Sequence, residues 1–195
     1  MKNETTRELF AYWDTCRGAR AAPDRTDIEP GAIRRILGDT FILGFDPLRG
    51  HPFRIAGTRL CALFGRELKE RPFRGLWAEG SASALDDLVT IIAAEKNGVV
   101  AAAHGETADR QRLELELLLL PLGYRRGMPA RLLGALSAVQ RPYWAGVEPL
   151  GALTLGVYRH IGPALDVVLP PRFAAVPTGE SPRRRFVVLE GGRSD

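Results

Sequence analysis

The segment RLELELLLL, residues 112–120, constrains the fold more than any other stretch of the chain. Leu113, Leu115, Leu117 and Leu119 alternate with Arg112, Glu114 and Glu116. That period of two puts the leucines on one face of a strand and the charges on the other. One face is dry and the other is wet near its start, the pattern of a sheet strand with one covered side. The chain must therefore build a sheet around this segment and cover its leucine face.

The remaining elements follow from local patterns. DTFILGFD (39–46) alternates Phe41, Leu43 and Phe45 on one face, and PFRIAG (52–57) returns after the turn Asp46-Pro47-Leu48-Arg49-Gly50, so 39–57 is a predicted hairpin. VVAAAH (99–104) and ARLLGALSAVQ (130–140) supply two further strands beside 110–122. Between hairpin and strands, Leu60, Leu63 and Phe64 make a one-to-two-turn helix closed by Gly65. A longer helix starts at Ser83, with Ser83 and Asp86 at N-cap spacing and Leu85, Leu88, Val89 and Ile92 on one face, and stops at Asn97-Gly98. At the start, TTRELFAYWDTCRG reads as a helix with Thr5 and Glu8 as a capping box and Leu9, Trp13 and Cys16 in one stripe. EPGAIRRILG reads as a short helix presenting Ile33, Ile36 and Leu37. Two strands joined through helices to three more, mostly antiparallel, are an α+β arrangement. The divisions are a helical cap over 1–38, a core over 39–140 and an extension over 141–195. In the extension, GALTLGVYRH (151–160) is a further strand or an extended arm, and 161–182, with five prolines, reads as irregular.

A length of 195 residues is one domain's worth of chain, and 45% hydrophobic with 26% charged residues is an ordinary globular balance. Two cysteines, Cys16 and Cys61, need no disulfide framework, and the polar start MKNETTRELF lacks an apolar leader, so the expected compartment is the cytoplasm. No apolar run reaches membrane-spanning length, so no membrane span is expected. The net charge is +4 with a pI of about 9.4, and arginine dominates, since Lys2, Lys69 and Lys96 are the only lysines. Arg183-Arg184-Arg185 has no interleaved aromatics, so a solvated run is the better reading and nucleic acid is disfavoured. The FVVL that follows could add as a strand to a sheet edge. Neither a phosphate-binding G-x-x-x-x-G-K-[ST] loop nor a G-x-S-x-G elbow occurs, and the expectation is a non-enzyme.

The stretch TRLCALFGRELKERPFRGLW (58–77) resembles a segment found after the second strand of PAS domains. Phe64-Gly65, Glu67-Leu68, Arg71-Pro72-Phe73 and Leu76-Trp77 stand at matching places, with slightly compressed spacing and Thr58 where an asparagine often begins. LFAYWDTCRGARAAPDRTDIEPGAIRRILGDTFIL (9–43) resembles the start of a bacterial family of stand-alone PAS proteins with an N-terminal helical cap and no attached output domain. The resemblance covers about residues 8–140. It implies a five-stranded antiparallel sheet of order 2-1-5-4-3, helices over one face, and often a pocket between them. It also implies a sensory or regulatory role in bacterial signal transduction, through a small apolar ligand or a signalling protein in trans. The alternative is an interaction adaptor with a filled core and no ligand.

On that resemblance, the candidate pocket positions are Phe41, Leu43, Ile55, Leu63, Trp77, Leu88, Ile92, Leu115, Leu117 and Leu136, which equally suit a filled core. Flavin photosensors of the fold use a cysteine in a segment resembling N-C-R-F-L; Cys61 lies instead in the short helix, and packing is its better reading. Haem would need an axial histidine, and His51, His104 and His160 all fall off the helix expected to supply it. No cofactor is therefore expected, with haem and flavin both disfavoured. His104, Glu106 and Asp109 are a weak metal pattern, and a Cys61–His51 nucleophilic pair has no local support. Leu9, Phe10 and Trp13 must bury their side of the first helix, either on the chain's own sheet or against a second copy in a homodimer.

Overall fold

The computed structural model describes residues 1–123, 130–162 and 168–169. Seven strands form one antiparallel sheet: β1 (Thr40–Gly44), β2 (Phe53–Ala56), β3 (Gly98–Glu106), β4 (Arg112–Pro121), β5 (Arg131–Ala138), β6 (Thr154–Ile161) and β7 (Val168–Leu169). Their spatial order is β2-β1-β5-β4-β3-β6-β7. The order 2-1-5-4-3 expected for five strands is present, and β6 and the two-residue β7 extend it at the β3 edge. β6 pairs along β3 from Gly98↔Ile161 to His104↔Thr154, so the sheet runs well past residue 140 and the edge of β3 is satisfied. The run 183–195 lies outside the described residues.

Both faces of the sheet are covered. On the inner face, α2 (Thr58–Leu63), the 3-10 turn Phe73–Leu76 and α3 (Glu79–Glu95) pack over Leu113, Leu115, Leu117 and Leu119. The other face, here the outer one, carries Ile42, Val100, Leu118, Leu120 and Leu133 and is covered by α1 (Glu4–Arg17) and the chain that follows it. The four consecutive leucines 117–120 are fully buried because the strand passes between the two layers. Leu9 and Trp13 spend their apolar surface on this sheet, and Trp13 Nε1 donates to the Pro121 carbonyl at 2.8 Å. Phe10 remains partly buried, stacked on Trp13 with ring centroids 6.0 Å apart. No helix among the described residues is long and apolar enough to cross a membrane.

Local boundaries differ from the sequence expectation where tertiary contacts intervene. α1 is capped by Asn3, whose side chain accepts from the Thr5 N–H at 2.8 Å, so the Thr5–Glu8 box is not used. α3 starts at Glu79, four residues before Ser83, because its first turn is anchored from outside: the Leu155 N–H donates to Ser81 Oγ at 3.0 Å. EPGAIRRILG is two 3-10 turns, Pro30–Ile33 and Leu37–Asp39, rather than one helix. Ile33 and Ile36 are buried by this winding, while Leu37 stays 38% exposed.

Ile55 is the clearest correction. A simple hairpin would place Phe53 and Ile55 on one face, with Phe41 and Leu43. A β-bulge instead pairs Leu43 with Phe53 but Ile42 with Ile55. The extra residue turns Ile55 to the outer face, where it is 47% exposed.

Glu116 fastens the outer layer. Its strand position is on the wet face, yet it is 7% exposed because α1 begins directly over it. Its carboxylate accepts from the Lys2 N–H at 2.7 Å, from the Asn3 N–H at 3.1 Å and from the Thr6 hydroxyl. Burial alone would raise its pKa; the hydrogen bonds from Lys2, Thr6 and Asn3 outweigh it and hold the group below the ordinary 4.5. Because the folded pKa is depressed, this stabilisation is present above pH 4.5 and is lost as pH falls through the lower native value. Glu116→Ala is expected to cost about 2–3 kcal/mol, measured by urea unfolding, since it strands buried donors. It should also speed hydrogen exchange in α1 before the rest of the chain.

Candidate functional site

Nine of the ten pocket positions expected from sequence come together on the inner face. Phe41, Leu43, Leu63, Trp77, Leu88, Ile92, Leu115, Leu117 and Leu136 all belong to one buried cluster, none more than 5% exposed. Ile55 is the exception, as described above.

Aromatic rings pack one end of that cluster. Phe41, Phe53 and Phe73 lie mutually within 5.4–5.5 Å between centroids, and Phe73 meets Trp77 edge-on at 5.7 Å. β5 accommodates the Phe41 ring only through Gly134: a Cβ there would lie 2.3 Å from Phe41 Cζ. Wherever the strands could have left space beneath the helices, this end is occupied by the chain's own rings.

His51 brings polar atoms into the interior. His51, 1% exposed, sits after the 3-10 turn Pro47–Arg49, with its ring 5.4 Å from Phe45. Its Nδ1 accepts from the Asp46 N–H at 3.3 Å, which leaves the proton on Nε2. Nε2 faces Asp86 Oδ1 of α3 at 3.8 Å, and both atoms are buried without a hydrogen-bond partner, as is Trp77 Nε1. Burial lowers the His51 pKa below 6.5, against the opposing pull of the Asp86 and Asp46 charges.

Cys61, His51, His104 and His160 sit on different parts of the fold. Cys61 is half-buried on α2, 3.6 Å from Glu67 Oε1, and burial pushes its thiol above 9.0, which makes it a weak nucleophile. His104 lies in β3 and His160 in β6. Among the described residues no three His, Cys, Asp or Glu side chains are placed to share a metal ion.

A groove that sequence reasoning missed lies on the outer face. It has a volume of about 440 Å³ and opens between the cap's 3-10 turns and the β1–β2 edge. Ile33, Ile42 and Leu133 form its floor, and Leu37 and Ile55 line it while partly exposed. Arg25, Arg34 and Arg59 also line it, and no carboxylate does. Arg59 is held by Asp39 Oδ2 at 3.0 Å and 2.7 Å. Cap and sheet edge are sealed at Gly57, where a Cβ would lie 2.3 Å from the Gly38 carbonyl oxygen. A usable signal was present in A-I-R-R-I-L, residues 32–37, where arginines sit among apolar residues; the bulge that delivers Ile55 left none. A second cleft, near the start of α1, is lined by Lys2, Arg7, Arg35, Arg59 and Arg141, but Glu4 and Asp39 already pair with two of them.

A family model described as PAS domain matches residues 1–137. No curated protein matches the chain. Among solved structures, a Light-Oxygen-Voltage domain studied with a flavin analogue is 16% identical with a TM-score of 0.45, over 58% of this chain and 85% of that one. An RNA-binding Light-Oxygen-Voltage receptor is 20% identical with a TM-score of 0.44, over 58% of this chain and 33% of that one. A LOV protein of Rhodobacter sphaeroides is 18% identical with a TM-score of 0.41, over 53% of this chain and 60% of that one.

His51 gives the inner core a measurable pH response. Its native pKa is depressed, so below 6.5 the unfolded chain binds more protons than the folded one. Stability from this group is full above pH 6.5 and falls with pH toward the lower native value. The melting temperature should therefore drop between pH 7.5 and 5, and His51→Phe, which keeps a ring beside Phe45, should flatten that part of the profile.

With the strand order 2-1-5-4-3, two helices between the second and third strands, and a family model spanning 137 residues, the chain belongs to the PAS-domain family.

Proposed function

We propose that this protein is a non-enzymatic regulator of bacterial signal transduction, acting in the cytoplasm by binding a signalling partner in trans. In this reading the inner face is filled by the chain's own side chains instead of a flavin, haem or small apolar ligand. The observation that carries it is the packed cluster under α2 and α3, closed at one end by Phe41, Phe53, Phe73 and Trp77. Two further features support it. The cysteine on α2 lies outside any N-C-R-F-L segment, and both cysteines are free thiols, as a reducing compartment favours. With the interior committed to packing, changes of state would reach a partner through the outer layer, where α1 and the 3-10 turns meet the sheet.

The reading is tested on protein purified from its host. Its absorption spectrum should show only the aromatic band, and Ala101→Leu, at a position 2% exposed on the inner face, should cost about 1–3 kcal/mol by overpacking. A visible chromophore, or an unchanged stability in Ala101→Leu, would overturn the filled core. Gentle size-exclusion of host extract should show the protein in a complex with a second polypeptide identified by mass spectrometry. Elution solely as its own species would remove the partner from the reading.

A further inference from the structure

We propose that the outer groove binds a small amphipathic acid, an apolar chain ending in a carboxylate. The site lies on the face of the sheet opposite the packed inner core, and it does not depend on the partner reading above.

Three observations meet there. The first is wet apolar surface in a concave place. Leu37 and Ile55 are 38% and 47% exposed, and both line a groove whose floor residues are buried. An occupant with an apolar body would take that surface out of water, the favourable term in binding. The volume of about 440 Å³ is within the span of small-molecule sites, about 300–1,000 Å³.

The second is charge. Three guanidinium groups line the groove and no carboxylate does. Asp39 neutralises Arg59 and fixes it, while Arg25 donates only to the neutral Ile28 carbonyl, at 3.3 Å, and keeps its charge. Arg34 is exposed and has no ion-pair partner among the described residues. Unneutralised guanidinium charge beside an apolar floor suits an anionic head, and the planar fork of Arg34, the more open of the two unpaired groups, matches a carboxylate with two parallel N–H···O bonds.

The third favours a small molecule over a partner's strand as the occupant. The β2 edge is already taken at Phe53, whose N–H donates to the Arg71 carbonyl at 3.0 Å and whose carbonyl accepts from the Glu70 N–H at 2.8 Å. Strand addition at the Phe53 end of β2 is blocked, and the side-chain groove between cap and sheet stays open. Its walls come from both layers, Ile33, Arg34 and Leu37 from the cap and Ile42 and Ile55 from the sheet, so an occupant holds the two together.

The test uses the whole chain and three probes below their micelle concentrations: decanoate, decanol and acetate. Calorimetric titration should show saturable decanoate binding, with decanol and acetate at least about tenfold weaker. Amide shifts in a two-dimensional NMR spectrum should centre on Leu37 and Ile55. Arg34→Gln should weaken decanoate about tenfold, and Ile55→Glu should abolish binding, while Leu48→Glu, 99% exposed in the 47–49 turn, should leave it unchanged. Arg34 is exposed and Ile55 faces solvent in part, so the ligand-free melting temperature of each variant should stay near that of the wild type and shows that folding is intact. Equal affinity for decanol, binding unaffected by both groove variants, or no saturation at millimolar decanoate would each overturn the proposal. Co-sedimentation with phosphatidylglycerol vesicles that the same variants abolish, without decanoate binding, would assign the groove to a membrane surface and overturn it as well.

Discussion

The carboxylate of Glu116 is the point on which the two-layered structure depends. A charged side chain on the outward face of a central strand would ordinarily stay in water. Here it accepts the backbone N–H groups of Lys2 and the cap residue Asn3, just before α1, and the Thr6 hydroxyl in its first turn. The start of a helix leaves N–H groups without partners, and its dipole favours a negative charge nearby. One buried carboxylate therefore satisfies the helix and the helix satisfies the carboxylate. This pins α1 across the strand, and once it is pinned Leu9 and Trp13 bury against Leu118, Leu120 and Leu133. The chain from Pro23 to Asp39 can then wrap toward the β1–β2 edge.

Covering the outer face this way leaves the two layers with different characters. The inner layer is a dense apolar interior with aromatic rings at one end, and its unsatisfied polar atoms among the described residues are on His51, Asp86 and Trp77. The outer layer is held by polar anchors at separated points: Glu116 at the start of α1, Trp13 at Pro121, Asp39 with Arg59 at the sheet edge. Between such anchors a packed seam is not required, and the groove opens where the 3-10 turns pass Ile55. A layer secured at points can shift at lower cost than a layer interdigitated throughout.

Much of the fold was legible in local patterns, and the misses have identifiable causes. Alternation in 112–120 located the central strand and its leucine face, and the hairpin, crossover helices and later strands followed from turn residues and periodicity. Nine of ten inner-face positions were readable because their burial follows from strand parity and helical spacing. Ile55 was not, because a bulge changes parity without leaving a residue type that announces it. The Thr5–Glu8 box and the Ser83 start were misread because the real anchors, Asn3 with Glu116 and Ser81 with Leu155, involve partners 74 to 113 residues away. The wet reading of Glu116 failed for the same reason.

By itself, the sequence determined the class of fold, the strand order implied by its resemblance, and which side chains fill the inner core. The fold class and the core positions depend on periodicity, a property of neighbours along the chain, whereas the strand order rests on the resemblance alone. Only the tertiary structure decided that Glu116 is buried, that Leu9 and Trp13 serve the chain's own sheet, and that Ile55, Leu37 and Arg34 share a groove. Each of these depends on which distant segment covers a given face, and that is settled by the joint demand of burying apolar surface and pairing every buried polar group.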